Sequence, residues 1–459
     1  MLKSYPNVAL PRPKADVKRP QAKSDDSLPP PQSLWQRMWK HRTMMHYHRL
    51  IGLVVVVNLV YLWLSLRNGS GRLDLATLSN FVITNFFVAI IIRQQYIINL
   101  LFKLATSAPT SWPLSIRWLL GKVYHFGGLH VGGALMGTIW FAIFVGSLTY
   151  RWANRLPGAS VSLIVITYTL LAILLLMIGM ALPQIRVRYH NQFELMHRFG
   201  GWTALLLFWA QTFLFISSQR GEVNFATALV AAPGFWLLLL ITISIILPWL
   251  RLKKVAVKIE NPSSHVVLVR FNHGVTPFAG SSTTVSRSPL IEWHSFANVP
   301  SPNEEGFRLT ISRAGDWTGQ FIDDLPSHVW VKGIPTAGVG NIDKLFKRVV
   351  WIATGSGIGP TLPHLLAQEV PALLVWSTRS PRETYGDALV DEILAVQPDA
   401  LIWDTNKNGR PDLVRLAYQA YQEFDAEAVI VISNKKLTWQ VVTGMESHGI
   451  PAYGAIWDS

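Results

Sequence analysis

Six apolar stretches, roughly residues 48–66, 79–104, 118–148, 159–183, 193–217 and 223–250, dominate the first 250 residues. Each is near or above the ~20 residues that a helix needs to cross the hydrocarbon of a bilayer. In hydrocarbon every backbone N–H and C=O has to be satisfied within the segment, so such stretches build a helical bundle. From Arg251 onward the composition becomes that of a water-soluble domain. The chain is therefore expected to live in two solvents, with a six-helix membrane domain over residues 48–250.

An even number of crossings keeps both ends of the chain on one side. Lys103, Arg117, Lys122, Arg186, Arg188, Arg198, Arg251, Lys253 and Lys254 flank the crossings on the side of the N-terminal tail, and the opposite loops carry fewer cations (Arg67, Arg72, Arg151, Arg155, Arg220). That asymmetry predicts a multi-pass protein, expected in the plasma membrane, with both termini cytosolic. Residues 1–47, rich in Pro and in Lys and Arg, read as a disordered basic tail without a signal peptide. Such a tail is either simply solvated or docks on lipid headgroups. The net charge of +14 is spread over tail, loops and the last third rather than gathered on one aromatic face, so no nucleic-acid partner is expected. The absence of cysteine excludes disulfides, thiolate metal sites, cysteine-ligated iron–sulfur clusters and a cysteine nucleophile.

Arg93, Gln94 and Gln95 interrupt the second stretch. They mark either a polar pairing inside the bundle or the end of a helix. Tyr124-His-Phe-Gly-Gly128 and His197-Arg-Phe-Gly-Gly201 echo one another, with glycines that let two helices, or a helix and a flat cofactor, approach closely. His125, His130, His190 and His197 gather at the cytosolic ends. They are either interfacial histidines or, through His130 or His125 with His197, the candidates for a single haem. A stacked pair of haems would need a second histidine about four turns further along each helix. Fourteen residues after His197 stands Gln211, and fourteen after Tyr124 stands Thr138, so no metal site is assigned and haem is not expected.

Beyond residue 250, short β-branched runs at 255–260, 266–271, 306–312 and 329–332 predict an antiparallel β-barrel over 251–335. From 336 to 459 the pattern alternates: strands at 349–353, 372–376, 400–403, 428–432 and 452–457, helices near 361–368, 386–396, 411–423 and 436–447. This is the pattern of an α/β doubly wound sheet, which binds ligands beyond the C-terminal ends of its strands. There the first strand ends in Gly355-Ser-Gly-Ile-Gly-Pro360, a turn suited either to a phosphate cradle or to tight helix-on-strand packing. Ser377-Thr-Arg-Ser-Pro-Arg382 and Asn406-Lys-Asn-Gly-Arg-Pro411 follow the next two strands, and their hydroxyls and guanidiniums suit a nucleotide ribose and its phosphate.

Glu292-Trp-His-Ser-Phe-Ala-Asn298, Gly315-Asp-Trp-Thr318, Gly355-Ser-Gly-Ile-Gly-Pro360 and Gly409-Arg-Pro411, in that order behind six membrane segments, resemble the ferric reductase and NADPH oxidase superfamily. The cytosolic half is similar to its ferredoxin–NADP reductase-like module. Within that superfamily the chain resembles the fungal TmpA-type integral membrane flavoproteins, linked to asexual sporulation. Its end, Tyr453-Gly-Ala-Ile-Trp-Asp-Ser459, is similar to theirs and to the reductase-like tails of fungal adenylating enzymes.

The resemblance implies an FAD-binding barrel and an NADPH- or NADH-binding α/β domain. It lays His294, Ser295, Phe296 and Ala297 along the flavin, turns Gly315 and Thr318 to the FAD pyrophosphate, and turns Gly355, Gly357 and Pro360 to that of NADPH. It sets Thr378, Arg379 and Arg410 near the ribose phosphate. Ala297, Ser433 and Trp457 are the residues it brings to the reacting rings, Trp457 by stacking on the isoalloxazine. Three departures accompany it: Ala297 lacks a hydroxyl, Ser433-Asn434 replaces Cys-Gly, and the haem histidines are missing. The expected function is hydride transfer from NADPH to FAD and on to an unidentified acceptor, with partners limited to bilayer, nucleotide and acceptor. The alternatives are a sensor flavoprotein with little turnover and a haem-containing ferric reductase or superoxide-producing oxidase.

Overall fold

The computed structural model describes residues 28–68, 73–300 and 305–455. Five helical segments are long and apolar enough to cross a membrane: His46–Arg67, Leu114–Ala153, Val161–Ala181, His190–Gln219 and Pro233–Arg251. The second expected crossing is not one helix. It stops at Ile91, bends by 71°, and resumes as Gln95–Thr106, so the count reaches six only if the bent pair is one span.

The bend has a polar cause. Gln95 Nε2 donates to Ile334 O (3.0 Å) and Thr336 Oγ1 (2.9 Å), and its Oε1 accepts from Ile334 N–H (3.0 Å). Asn99 Nδ2 donates to Pro335 O at 3.0 Å while its Oδ1 accepts from Ala337 N–H at 2.8 Å. The helix after the break is thus drawn onto a strand of the C-terminal half, and Arg93-Gln94-Gln95 is a helix end. Inside the bundle the side-chain amides of Asn58 and Asn85 bond each other (2.7 and 2.9 Å), and Trp140 Nε1 donates to Asn58 Oδ1 (2.8 Å), so these buried polar groups are satisfied. Gly128 is a packing glycine, because a Cβ there would lie 2.2 Å from Tyr47 O on the neighbouring helix.

The tail is ordered where disorder was expected. Ser33 and Gln36 form a capping box at the start of a helix, Leu34–Lys40, and Gln32 N–H donates to Ser447 O at 2.9 Å. That helix lies on the C-terminal domain. The remainder of the expected disordered tail, residues 1–27, falls outside the described residues.

Six strands follow: β1 (Lys253–Ser263), β2 (Val266–Phe271), β3 (Ser281–Ser286), β4 (His294–Ala297), β5 (Phe307–Ser312) and β6 (His328–Ala337). They form one antiparallel sheet in the order β4-β3-β6-β1-β2-β5, and β6 runs past the boundary expected at residue 335. The expected closed barrel is not formed. Among the described residues one pair joins the two ends of the sheet, Val299 with Arg308, bonded both ways at 2.8 and 3.0 Å. On the other side Asn298 bonds Ser281 through backbone and side chain (2.9 and 3.0 Å).

After a 3₁₀ turn, Val339–Leu345, come β7 (Val349–Thr354), β8 (Ala372–Thr378), β9 (Leu401–Asp404), β10 (Ala428–Ile432) and β11 (Ala452–Tyr453). They pair in parallel in the order β11-β10-β7-β8-β9. Helices Ile358–Ala367, Asp387–Val396, Leu413–Glu423 and Lys435–Ser447 cover the sheet, which is why β7 and β10 are near-continuous apolar runs. The strand order reverses between β7 and β10, and it is beyond the C-terminal ends of strands at such a switch point that sheets of this kind bind ligands.

Candidate functional site

At that reversal Thr354 Oγ1 and Ser433 Oγ lie 2.5 Å apart, tying the ends of β7 and β10 together. Asn434 caps the following helix by accepting from Leu437 N–H (3.0 Å), which gives a local reason for an Asn where the resemblance anticipates glycine. The two glycines of the turn do different work. Gly355 has φ +49°, a conformation that favours glycine, and a Cβ on it would meet nothing nearer than Tyr385 Oη at 3.9 Å. Gly357 is held by contact: a Cβ there would sit 2.1 Å from Ile432 O. The packing reading therefore accounts for Gly357, and the open space lies over Gly355. Pro360 stands in the first turn of helix Ile358–Ala367.

Two neighbouring loops complete this edge. Ser380 N–H and Asn406 N–H both donate to Asp404 Oδ1 (3.0 and 2.9 Å), and Asn406 Nδ2 donates to Ser380 Oγ (2.8 Å), so the loops after β8 and β9 form one unit. Thr378 is buried at the end of β8, whereas Arg379 and Arg410 are exposed, with no ion pair among the described residues. Arg382 faces elsewhere, paired with Asp387 (2.9 Å) and Asp391 (2.7 Å). Tyr385, which the sequence reading passes over, is buried beneath the turn, and burial pushes its phenol up to about 12 against the opposing Thr378 and Ser312 hydroxyls.

The second wall is β4 with helix Asp316–Asp324. His294 and Phe296 alternate onto one face, and Trp317 covers both: its ring stacks on His294 at 4.1 Å and lies 6.0 Å from Phe296. Ser295 is exposed, and Ala297 pairs with Ser282. His294 Nε2 and Trp317 Nε1 are buried without a hydrogen-bond partner. Burial lowers the His294 imidazole below its ordinary value, against the raising pull of Glu194 and Glu292. Thr318 Oγ1 accepts from Ala314 N–H and Gly315 N–H, each at 3.0 Å, and so occupies amides that could otherwise hold a phosphate. A Cβ on Gly315 would meet nothing within 4 Å, so the space above the helix start is open.

The walls are joined. A Cβ on Gly359 would lie 3.3 Å from Thr310 Cβ of β5, and a buried His364–Asp343 contact (2.6 Å) locks the 3₁₀ turn to helix Ile358–Ala367. Trp457 lies outside the described residues. Of the histidines considered for haem, His130 Nδ1 lies 2.7 Å from Ala89 O, while His125 Nδ1 and His197 Nδ1 are buried without partners. The described residues contain no group of three metal-ligating His, Asp or Glu. Sequence reasoning missed Thr354, Trp317 and Tyr385 as members of the site. Trp317 carried a signal, since it stands within the quoted Gly315-Asp-Trp-Thr318.

Residues 339–459 match the family model described as the C-terminal domain of adenylate-forming reductase 03009. The chain is similar to adenylate-forming reductase 03009 of Coprinopsis cinerea, 43% identical over 439 residues that make up 95% of this chain and 42% of that protein. Adenylate-forming reductase 06235 of the same organism is 43% identical over 425 residues, 92% of this chain and 41% of that protein. The chain thus spans about two fifths of the length of these relatives. Among solved structures, a ferredoxin NADP+ reductase from Neisseria gonorrhoeae with bound FAD and NADP aligns with 13% identity and TM-score 0.36, over 44% of this chain and 98% of that one. A ferredoxin–NADP+ reductase from Plasmodium falciparum aligns with 12% identity and TM-score 0.35, over 44% and 95%.

Proposed function

We propose that this chain is a membrane-embedded oxidoreductase module that takes hydride from NADPH to FAD and passes electrons to an acceptor at the cytosolic face. One observation carries the reading. The crevice where the strand order reverses, with Gly355 clear of side chains, adjoins an antiparallel sheet that buries two ring nitrogens, His294 Nε2 and Trp317 Nε1, without partners. Buried polar atoms of that kind are uncommon unless a ligand or water completes them. Similarity to the adenylate-forming reductases supports a reductase, and the outward apolar faces of the long helices, Val56, Val57 and Trp63 among them, support a bilayer around the bundle.

The residues present fit the two groups. The turn at Gly355 would hold the nucleotide pyrophosphate and Arg379 with Arg410 the ribose phosphate; His294 and Phe296 would hold the flavin, with Trp317 moved aside from them. Bound flavin would supply a two-electron acceptor for the dihydronicotinamide. The chain's own part is placement: the Thr354–Ser433 pair fixes the ends of β7 and β10 where the nicotinamide would lie. Ala297 offers no hydroxyl to the flavin, and the neutral His294 presents a donor or an acceptor in its place. The orientation with tail and C-terminal half in the cytosol, the plasma membrane as location and a link to asexual sporulation belong to the same proposal.

A visible absorption spectrum of the detergent-purified chain tests it. Flavin bands that bleach on adding NADPH are expected; a chain without flavin and without NADPH-dependent bleaching defeats the reading. A Soret band in that spectrum would bring His130 and His197 forward. A second reading, a regulatory flavoprotein with little turnover, is favoured by Trp317 covering β4 and by Thr318 taking the helix-start amides. Cellular function retained by an Arg379→Ala variant that no longer oxidises NADPH would decide for it.

A further inference from the structure

A cavity of ≈260 Å³ lies away from the nucleotide crevice, where three parts of the chain converge. They are the end of the tail helix with the first turn of helix His46–Asn68, the segment Leu114–Phe126 at the foot of helix Gly127–Ala153, and one face of helix Lys435–Ser447. Lys40, Arg49 and Lys122 line it against a single carboxylate, Glu446. Lys122 Nζ bonds that carboxylate, and Lys40 Nζ bonds the Glu446 carbonyl at 3.1 Å, so the cavity keeps an excess of positive charge. Two lining atoms are buried without hydrogen-bond partners, Nδ1 of His125, a residue only 3% exposed, and Oγ1 of Thr443.

The rim is apolar and exposed. Trp39 and Leu119, which line the cavity, are 53% and 61% exposed, and Trp35 and Met38 on the tail helix and Ile116 beside Leu119 extend the surface. Lys40 lies over the Trp118 ring at 4.2 Å and Arg49 over the Trp39 ring at 4.9 Å. Cations beside unmet hydrogen-bonding atoms inside, and exposed aromatic and aliphatic side chains outside, match a ligand with an anionic head and a hydrocarbon body. The position agrees, since helices His46–Asn68 and Gly127–Ala153 both start here and their starts would stand at headgroup level.

We propose that this cavity binds the phosphate headgroup of an anionic phospholipid, whose acyl chains run over Leu119 and Ile116. The inference rests on the membrane reading above. The lipid would close the joint between tail helix, bundle and helix Lys435–Ser447, making the docking of the tail depend on the charge of the surrounding leaflet. His125 and Thr443 supply hydrogen bonds to the phosphate, and Arg49 supplies charge.

The test titrates the full chain in neutral detergent with dioctanoyl phosphatidic acid, dioctanoyl phosphatidylcholine and glycerol 3-phosphate, reading tryptophan fluorescence and melting temperature. Saturable binding of phosphatidic acid is expected, at least about tenfold tighter than either of the others. Thr443→Val should weaken it about threefold and Arg49→Gln about tenfold, with the flavin spectrum unchanged. If Arg49→Gln also lowers the melting temperature without lipid, Thr443→Val decides. Equal binding of phosphatidylcholine, equal binding of glycerol 3-phosphate, no binding, or an unaltered affinity in Thr443→Val overturns the proposal. A chain that stays in solution without detergent defeats the membrane reading instead, and the flavin spectrum of the same sample reports separately on the oxidoreductase.

Discussion

The two walls of the crevice are built on opposite plans. The edge of the parallel sheet is open: Gly355 leaves room above it, Arg379 and Arg410 are exposed, and the loops after β8 and β9 are already fixed through Asp404. The face of β4 is closed on itself, with Trp317 lying on His294 and Thr318 filling the helix start. A ligand at the first wall meets a formed site, whereas a flavin at the second has to displace an indole or lie beside it. The difference separates a nucleotide, which would need no rearrangement at the first wall, from a flavin, which would draw on the freedom of one side chain at the second.

The largest effect expected separates the two glycines of the open wall. Gly357→Ala drives a Cβ into the Ile432 carbonyl and should cost at least about 3 kcal/mol, seen as a large fall in melting temperature. Gly355→Ala meets only the Tyr385 hydroxyl, at an ordinary contact distance of 3.9 Å, and should cost about 1–2 kcal/mol through its positive φ. Similar losses in both would show that the space over Gly355 is not real.

Trp317→Ala probes the closed wall. It should cost about 2 kcal/mol, below the 3–5 of a fully buried aromatic, because Trp317 is only half-buried. Flavin retention after gel filtration should hold or rise, since the covering ring is gone. Loss of flavin would identify Trp317 as part of the seat rather than its cover. On the open wall, Arg379→Gln with Arg410→Gln should weaken NADPH about tenfold, close to 1.4 kcal/mol, and leave NADH unchanged in isothermal titration.

Lys332 supplies a pH test of the closed wall. It lies between Trp249 (4.4 Å) and Trp293 (4.1 Å), next to His294 in sequence, and burial, followed by Arg198, pushes its ammonium down to about 7. Below pH 7 both folded and unfolded chains hold the proton. Between about 7 and the ordinary lysine value only the unfolded chain does, so stability should rise with pH there, by less than about 1.4 kcal/mol per unit. Lys332→Met should flatten the melting temperature across that window. The smallest effect belongs to Ser433→Ala, about 0.5–1.5 kcal/mol for the bond to Thr354, with turnover reduced more than NADPH affinity.

The parallel sheet could be read from the sequence because its strands are buried on both faces. Residues 349–353 and Ala428–Ile432 are apolar throughout, and their glycine, Asp and Asn punctuation marks the ends. In the antiparallel sheet β3 and β4 escaped: Ser-Ser-Thr-Thr-Val-Ser carries hydroxyls toward neighbours such as Asn298 and Thr336 rather than toward water, and His-Ser-Phe-Ala is too short to show an alternation. The interruption at Gln95 could be read, but not what it meets, since its partner is the backbone of Ile334, 239 residues further on. Thr354 and Ser433 meet only because β7 and β10 pair, so no local pattern could have shown their hydroxyls together.

Tyr453 seats against Gly121, where a Cβ would lie 2.7 Å from its ring, and its hydroxyl donates to Trp118 O at 3.0 Å across 335 residues of chain. The notch at Gly121 is made early in synthesis and filled late. Until β11 joins its sheet, the foot of the bundle keeps an aromatic-sized gap there. The last strand is thereby one of the pieces that hold the foot of the bundle to the parallel sheet.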